Sequence, residues 1–456
     1  MMSGAAPLVS NGITWMHGAA GERIHLSAFL MTFATALLIY SPMFTARNVA
    51  IRTITDRRSL YRFAGFNVAC ATSSSVGLFV VSQFDVAGGF IFQTLLHADP
   101  QIEMLAREGL LVFIPIPILV ALRGMGQGCH ISNGQSWYVG VGTSLRLSTM
   151  AIFVFGYAIH HELTGPVLGG MTYLTGITAE TVFMVVTLWN KPQWRNIGQG
   201  PVLSYKQFGR YAGPLMLAST FNLLSYPILI HLINVGQQPG ESGASYNLLR
   251  DTAWLMFSVL IAVQPTIIAH ATSAQNWRVI VRFGTLLAGS VTGLAMLVAL
   301  TSLRNAIFIR WLDVDNVLIQ QLTFEALRWM IPIPFINTLW LSLSALHTRS
   351  GRTIWTTAGN LAGLMVLLLV AVGWDLSAHN GAVVAIVGVA VFNLVSSAVQ
   401  LAGLLNGGFE AALSPRTLAE HFNGEPERQA ETHGEPASVP CPQPVVQELQ
   451  TCAARD

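Results

Sequence analysis

The four residues Ile114-Pro115-Ile116-Pro117 return as Ile331-Pro332-Ile333-Pro334, an offset of 332 − 115 = 217 residues. The match runs outward in the same register, pairing Glu108 with Glu325, Leu110 with Leu327, Leu122 with Leu339, His130 with His347 and Gly134 with Gly351. Shared apolarity accounts for the leucines, but not for a Glu, two Pro, a His and a Gly in one register. Self-similarity at a fixed offset limits the fold before any single motif does. The chain is built of two related halves.

Both copies lie in apolar runs of about 20 residues, the length that crosses a bilayer as a helix. Only 10% of the 456 residues are charged and 52% are hydrophobic, with a mean hydropathy of +0.53. A soluble domain carries roughly 25% charge, so this chain cannot cover a water-facing surface. A β-barrel would show short alternating segments, which are missing here. The fold expected is an all-α polytopic membrane protein of two pseudo-repeated helix bundles. The net charge of +2 gives no footprint for a nucleic-acid partner. Cys70, Cys129, Cys441 and Cys452 form no CxxC or metal-ligand spacing, so neither a disulfide nor a cysteine metal site is expected. The N-terminal stretch lacks the basic segment of a cleavable signal.

The first span is expected from about His25 to Thr45, followed by Arg47, Arg52, Arg57, Arg58 and Arg62. Others follow at about 63–96, from Asp99 (as cap) to about Gly128, 137–160 and 165–189. Six more begin near Phe208, Tyr246, Trp277, Val317, Thr353 and Ala382. The division is an N-terminal remnant at 1–24, a five-span bundle at 25–190, a linker at 191–206, a six-span bundle at 207–408 and a disordered tail at 409–456. Setting Ala28–Met31 against Ala253–Met256, at an offset of 253 − 28 = 225, leaves the helix at 208–234 without a mate. That makes 11 visible spans, with the first of an expected 12 largely absent: either the chain starts with its N-terminus outside, or, the favoured reading, its true start lies upstream, which predicts an apolar helix encoded just before it. Alternate loops carry Arg47–Arg62, Arg123, Lys191, Arg195, Lys206, Arg278, Arg282, Arg349 and Arg352, against Asp99, Glu162, Glu241, Asp313, Asp315 and Asp375 with a few arginines such as Arg304 and Arg310. The positive-inside rule makes the first set, and the tail with it, cytoplasmic at a plasma (inner) membrane.

Certain segments carry a family likeness. Leu327-Arg328-Trp329-Met330 before Ile331-Pro332-Ile333-Pro334 is similar to a Leu-Arg followed by a Phe-Pro-Val-Pro run, Tyr40-Ser41-Pro42-Met43 to a Gly-Pro-Met segment, and His379-Asn380-Gly381-Ala382 to a His-Gly-Ala turn. With two six-helix halves, the chain resembles the MOP flippase superfamily, nearest the progressive ankylosis proteins. The resemblance spans roughly residues 25–405 in layout. It implies a V-shaped, MATE-like pair of bundles opening alternately to each side, no enzymatic cofactor, and drive by an ion or potential gradient. Glu108 and Glu325 do not carry over from a family motif.

Intramembrane charges are functional candidates by default. Arg328 lies about 16 Å into its span at 1.5 Å per residue, with Glu325 three residues earlier on the same face. Two readings stay open: Arg328 receives an anionic substrate while Glu325 binds the coupling ion, or the two form a structural pair. Glu108, the repeat mate of Glu325, either shares the coupling or sits at the outer mouth. Arg146 either lines the cavity or pairs with Glu180 on the next helix. Pro115, Pro117, Pro332 and Pro334 remove backbone donors mid-span, making packing bends or gating hinges. His160-His161-Glu162 lacks a second cluster at ligand spacing, so no metal is expected. Asn222, Asn247, Gln264 and Asn393 read as interhelical glue before substrate ligands, and Tyr226 and Pro227 as a kink.

The leading function is a secondary-active transporter, with the bilayer as its surroundings, exporting a small organic anion or amphiphile and coupled to a proton or Na+. A flippase for a lipid-linked oligosaccharide or polysaccharide precursor is the alternative; only Arg146 and Arg328 lie deep enough to meet its phosphates. A membrane-embedded transferase would need a catalytic Asp/His/Glu group, and no Ser-His-Asp or HExxH constellation appears. A non-transporting scaffold would tolerate loss of Glu325 and Arg328. Oligomeric state leaves no trace in the sequence.

Overall fold

A computed structural model describes residues 24–25, 27–95, 99–157, 163–189, 203–311, 316–373, 376, 378–406 and 413. The 1–23 segment, the His160–Glu162 triplet, most of the linker, Asp313, Asp315, Asp375 and the tail with Cys441 and Cys452 lie outside the described residues. Within them the chain is helical, apart from turns and one isolated bridge between Gln237 and Asn380.

In the first half the helices are α1 (Ser27–Thr53, containing a tight 3-10 turn at Ser41–Thr45), α2 (Arg57–Gln83), α3 (Pro100–Phe113), α4 (Ile116–Ser132), α5 (Trp137–Tyr157) and α6 (Gly165–Trp189). The second half holds α7 (Tyr205–Val235), α8 (Pro239–Phe257), α9 (Val263–His270), α10 (Ala274–Leu300), α11 (Val317–Trp329), α12 (Ile333–Ser350), α13 (Ile354–Gly373) and α14 (Gly381–Leu405). Among the described residues eight helices are long and apolar enough to cross a membrane singly, and the bent pairs α3–α4 and α11–α12 bring the number to ten. The eleventh expected span, α8–α9, is interrupted by a 3-10 turn at Ser258–Ala262 and is apolar only over Ser258–His270. Exposed faces are rich in Val86, Ile152, Leu286 and Leu369, as lipid contact requires. This is an integral membrane protein.

The repeat holds at the level of elements. The 3-10 turns start at Ser41 and Ser258 (258 − 41 = 217), and α2 and α10 at Arg57 and Ala274 (217). α3 and α11 start at Pro100 and Val317 (217), and α6 and α14 at Gly165 and Gly381 (216). The 225 offset from Ala28 and Ala253 is therefore corrected to 217; a local Ala-x-Leu-Met likeness had outvoted the backbone. α7 has no mate among the described residues of the first half. Gly134 (φ 70°) and Gly351 (φ 75°) close α4 and α12 in left-handed backbone, a conformation that favours glycine.

Each proline pair builds its bend from two half-helices. Pro115 and Pro332 cap α4 and α12, while Pro117 and Pro334 sit at their second positions, where the first-turn N–H has no partner within the helix anyway. The half-helices meet at 42° in the first copy and 51° in the second.

Other boundaries differ from expectation. α1 runs on to Thr53 and α4 to Ser132, so Arg47 and Arg123 lie in helices and not in loops. Arg349 is likewise the last turn of α12, 3% exposed, with Nη1 donating to the Ile268 carbonyl at 2.7 Å. These guanidinium groups extend the helices past the apolar stretch because protein acceptors replace water. Asp99 occupies the cap position of α3, yet its side chain makes no cap hydrogen bond.

The helices that start or end near Arg52, Arg57, Lys206, Arg278 and Arg352 share one end of the molecule, called here the basic end. The substantial contacts between the halves lie at that end or at mid-depth. Arg52 Nε donates to the Arg349 carbonyl at 3.2 Å, and Phe208 stacks on Phe66 at 5.7 Å. Ser219 Oγ of α7 donates to the Ser41 carbonyl at 2.8 Å. Ile51 and Ile131 join Ile267, Ile268 and Leu346 in one buried cluster. No comparable contact joins the halves at the opposite end among the described residues.

Close helix packing in the first half rests on glycine. A Cβ on Gly128 would lie 2.5 Å from Ala50 Cβ and 2.7 Å from the Arg47 carbonyl oxygen, whereas one on Gly140 would meet nothing within 4 Å. Gly128→Ala should destabilise by about 1–3 kcal/mol through overpacking, and Gly140→Ala should stay within about 0.5 kcal/mol of the parent. Thermal unfolding of the detergent-solubilised variants measures both.

Candidate functional site

In the first half the polar interior is ionic. Glu180 on α6 is fully buried, and its Oε2 lies 3.1 Å from Arg123 Nη1 and 3.3 Å from Arg146 Nη1. Gln127 Nε2 donates to Oε1 at 2.7 Å. Both arginines are buried, at 4% and 3% exposed, and Arg47 on α1 feels the charges of Arg123 and Glu180. Two arginines thus pair with one carboxylate. The Gly124, Gly126 and Gly128 spacing sets this up: Gly124 and Gly128 face α1, and Gly126 faces Met184 of α6. Of the two sequence readings for Arg146, the geometry is the pairing with Glu180. Arg123, placed in a loop by sequence, is the partner that reading lacked. Its signal was its position nine residues before the end of α4.

The repeat puts the same junction in the second half and fills it differently. Arg123 corresponds to Trp340 (offset 217) and Glu180 to Ser396 (offset 216). Trp340 Nε1 donates to Ser396 Oγ and to Asn360 Oδ1, each at 3.1 Å. The neutral network continues to Gln400, whose Nε2 donates to Ser396 Oγ at 2.9 Å. Backbone plan is shared, charge is not.

Beside Trp340 the second half holds a cavity of about 170 Å³, walled by α7, α8, α12, α13, α14 and the end of α11. Its polar wall is Asn222, Arg250, Asn337 and Asn393, and Tyr226, Tyr246, Phe257, Trp340 and Phe392 give the aromatic wall. Among the described residues no carboxylate lines it. At the matching place the first half is filled: Phe33 stacks on Phe29 at 5.7 Å and on Tyr173 at 4.9 Å. Asn222 and Asn393, read from sequence as interhelical glue, make no side-chain hydrogen bond to any described residue; they face the cavity instead. Arg250, Tyr246 and Asn337 were missed because periodicity marks them only as members of a span.

The remaining candidates lie apart from both centres. Gln321, Glu325 and Arg328 form one exposed face of α11, with Glu325 accepting from Asn380 Nδ2 at 3.0 Å. No ion pair joins Glu325 to Arg328, and among the described residues no carboxylate lies within 4 Å of Arg328; the same-face pairing is corrected because both side chains project outward. Neither residue lines the cavity. Glu108 is also exposed and accepts a long contact from Thr164 at 3.5 Å. Thr164 and Asn380 are repeat mates (380 − 164 = 216) that precede or cap α6 and α14. Both acids thus sit near the end opposite the basic one. Among the described residues no group of three His, Cys, Asp or Glu stands ready for a metal.

No family model and no curated protein matches the sequence. Solved structures do. A MOP superfamily transporter from Pyrococcus furiosus aligns with a TM-score of 0.63 at 14% identity, covering 90% of this chain and 93% of its own. The eukaryotic MATE transporter AtDTX14 gives 0.62 at 15% identity, over 90% and 94%. An inward-facing multidrug resistance MATE family transporter of the MOP superfamily gives 0.57 at 14% identity, over 90% and 95%. At such identity the likeness shows the fold: a pair of bundles of the MATE type.

Removing one partner from a buried ion pair leaves an unpaired charge in low dielectric, at a cost of about 3–5 kcal/mol. Glu180→Gln should therefore lower the unfolding midpoint sharply or abolish monodisperse protein. Adding Arg146→Met to Glu180→Gln should recover part of the loss. Size-exclusion profiles and melting curves of the single and double variants report this.

Proposed function

We propose that the chain is a secondary-active transporter, exporting a small organic anion or amphiphile by alternating access of its two bundles. The observation that carries this reading is the one-ended contact between repeated halves. They are joined at the basic end and at mid-depth by Arg52, Phe208 and the Ile51–Ile268 cluster, with no comparable seam at the other among the described residues. If the basic end is cytoplasmic, as the arginine bias directs, this conformer is closed inside and faces outward. Opening the other way requires the Arg52 and isoleucine contacts to part. The two proline bends give each half a place where a half-helix turns without losing a hydrogen bond.

An anionic cargo is favoured by charge. The cavity wall of the second half carries Arg250 and, among the described residues, no carboxylate. For the Pyrococcus furiosus transporter a reverse polarity of the binding pocket is described as suggesting a different function, so polarity is not constant within this fold. The flippase reading needs several cations on one diphosphate, and Arg250 alone among the cavity residues is cationic. Glu180 is a poor coupling acid because two guanidinium groups hold it. Glu325 and Glu108, exposed and related by the repeat, are assigned to the coupling proton or sodium ion, with Arg328 beside Glu325 attracting anions into the cleft.

In proteoliposomes, anionic solutes should stimulate proton or sodium flux, and Glu325→Gln should cut that flux at least about tenfold, the usual effect of losing an essential proton-transfer group. Glu108→Gln should reduce it as well. Flux equal to the parent in both variants would remove the acids from coupling. No flux with citrate, nucleotides or cationic drugs, at full insertion, would overturn export of a soluble solute and leave lipid flipping.

A further inference from the structure

We infer that the crease between α2 and α7 at the basic end binds an anionic phospholipid, whose phosphate is held by basic side chains from both halves. The inference goes beyond the transport reading and does not depend on it.

The basic residues of this end fall into two groups. Arg52, Arg349 and Arg352 donate to the carbonyls of Arg349, Ile268 and Asn406, and Arg57 lies over the Tyr61 ring at 5.4 Å. Arg58, Arg62, Lys206 and Arg210 make no hydrogen bond or ion pair to any described residue. The acid nearest to the first two in sequence, Asp56, accepts from the Ser59 N–H as the cap of α2. The fold does not require the charges of α2: at the offset of 217, Arg58 and Arg62 have Gln275 and Val279 as mates on α10. Four cations that the protein leaves without an acceptor gather on two adjoining helices, one from each half.

Arg58, Arg62 and Gly65 share a face of α2 by their spacing, and α7 meets that face. The Tyr205 hydroxyl lies 3.1 Å from where a Cβ on Gly65 would stand, and Phe208 packs on Phe63 at 5.6 Å and on Phe66 at 5.7 Å. On α7, Lys206 and Arg210 share a face with Gly209 and Gly213, where an added Cβ would meet nothing within 4 Å. Each helix therefore shows two cations one turn apart, followed by an open surface of small residues. Both helices begin at this end, so the cations stand at the membrane surface and the open faces run inward from it. Tyr205, 57% exposed, marks the interface between them. A phosphodiester brings the acceptor oxygens that the four side chains lack, and its acyl chain covers the glycines, which a soluble anion would leave bare. The ammonium of a zwitterionic headgroup would meet like charge. A lipid seated here touches both halves and adds a tie to the seam that Arg52 and the isoleucine cluster close.

The test is native mass spectrometry of the full chain in detergent, titrated with dioleoyl phosphatidylglycerol or dioleoyl phosphatidylcholine. The first phosphatidylglycerol should bind at least about tenfold more tightly than phosphatidylcholine. Arg62→Gln on α2 and Lys206→Gln on α7 should each weaken it by about fivefold, and the double variant by more than about tenfold, with melting curves like the parent. Arg278→Gln combined with Arg282→Gln removes the same charge from exposed positions of α10 at the same end and should leave the first lipid in place. Equal binding of phosphatidylcholine, or equal loss in the α10 variant, overturns the inference in favour of a diffuse surface charge. A loss confined to one of the two helices overturns the bridge between halves. Displacement by millimolar glycerol phosphate would make the occupant a free anion and overturns the lipid.

Discussion

A carboxylate removed from water has to be neutralised by whatever the protein places around it, and Glu180 is the point at which this chain meets that demand. Arg123 from α4 and Arg146 from α5 reach it from two helices, Gln127 takes its second oxygen, and Arg47 brings α1 into the same field. Three helices are thereby tied at one depth. The glycines of α4 that let α1 and α6 approach are the steric condition for the contact, and the aromatic stack of Phe29, Phe33 and Tyr173 closes the remaining space. The first half is a filled, charge-locked body.

Against that body the second half reads as its complement. Where the first half has Arg123 and Glu180, the second has Trp340 and Ser396 in a neutral network; where the first has Phe33, Val120 and Ile177, the second has Arg250, Asn337 and Asn393. One duplicated backbone plan supports both because helix packing depends on size and approach distance more than on polarity. The ionic centre and the cavity lie in different repeats, so a change in the cavity need not disturb the lock. The proline bends and the contacts at the basic end supply what motion requires: rigid half-helices and a seam confined to one side of the pair.

Much of the architecture was legible without coordinates. The repeated Ile-Pro-Ile-Pro, the apolar runs and the polar breaks located both bent helices and most of the spans, because lipid demands long apolar helices and proline must fall where a helix can dispense with a donor. Boundaries near arginine were not legible. Arg47, Arg123 and Arg349 look like loop residues in a hydropathy profile, and only acceptors from elsewhere in the chain, such as the Ile268 carbonyl, let them stay in a helix. The reach of Arg328 toward Glu325 failed for a related reason: spacing gives a shared face, while neighbouring helices decide whether that face is covered. Here it is open.

The sequence by itself determined a duplicated, polytopic helical protein with a basic end and a small set of intramembrane charges, since periodicity and composition are properties of the chain alone. Tertiary structure decided which charges meet, that Asn222 and Asn393 face a void and not a neighbouring helix, and that Arg250 stands beside them. Those outcomes depend on which helix faces close together, and residues 28 positions apart, such as Asn222 and Arg250, share a wall only after α7 and α8 have packed against α12 and α14.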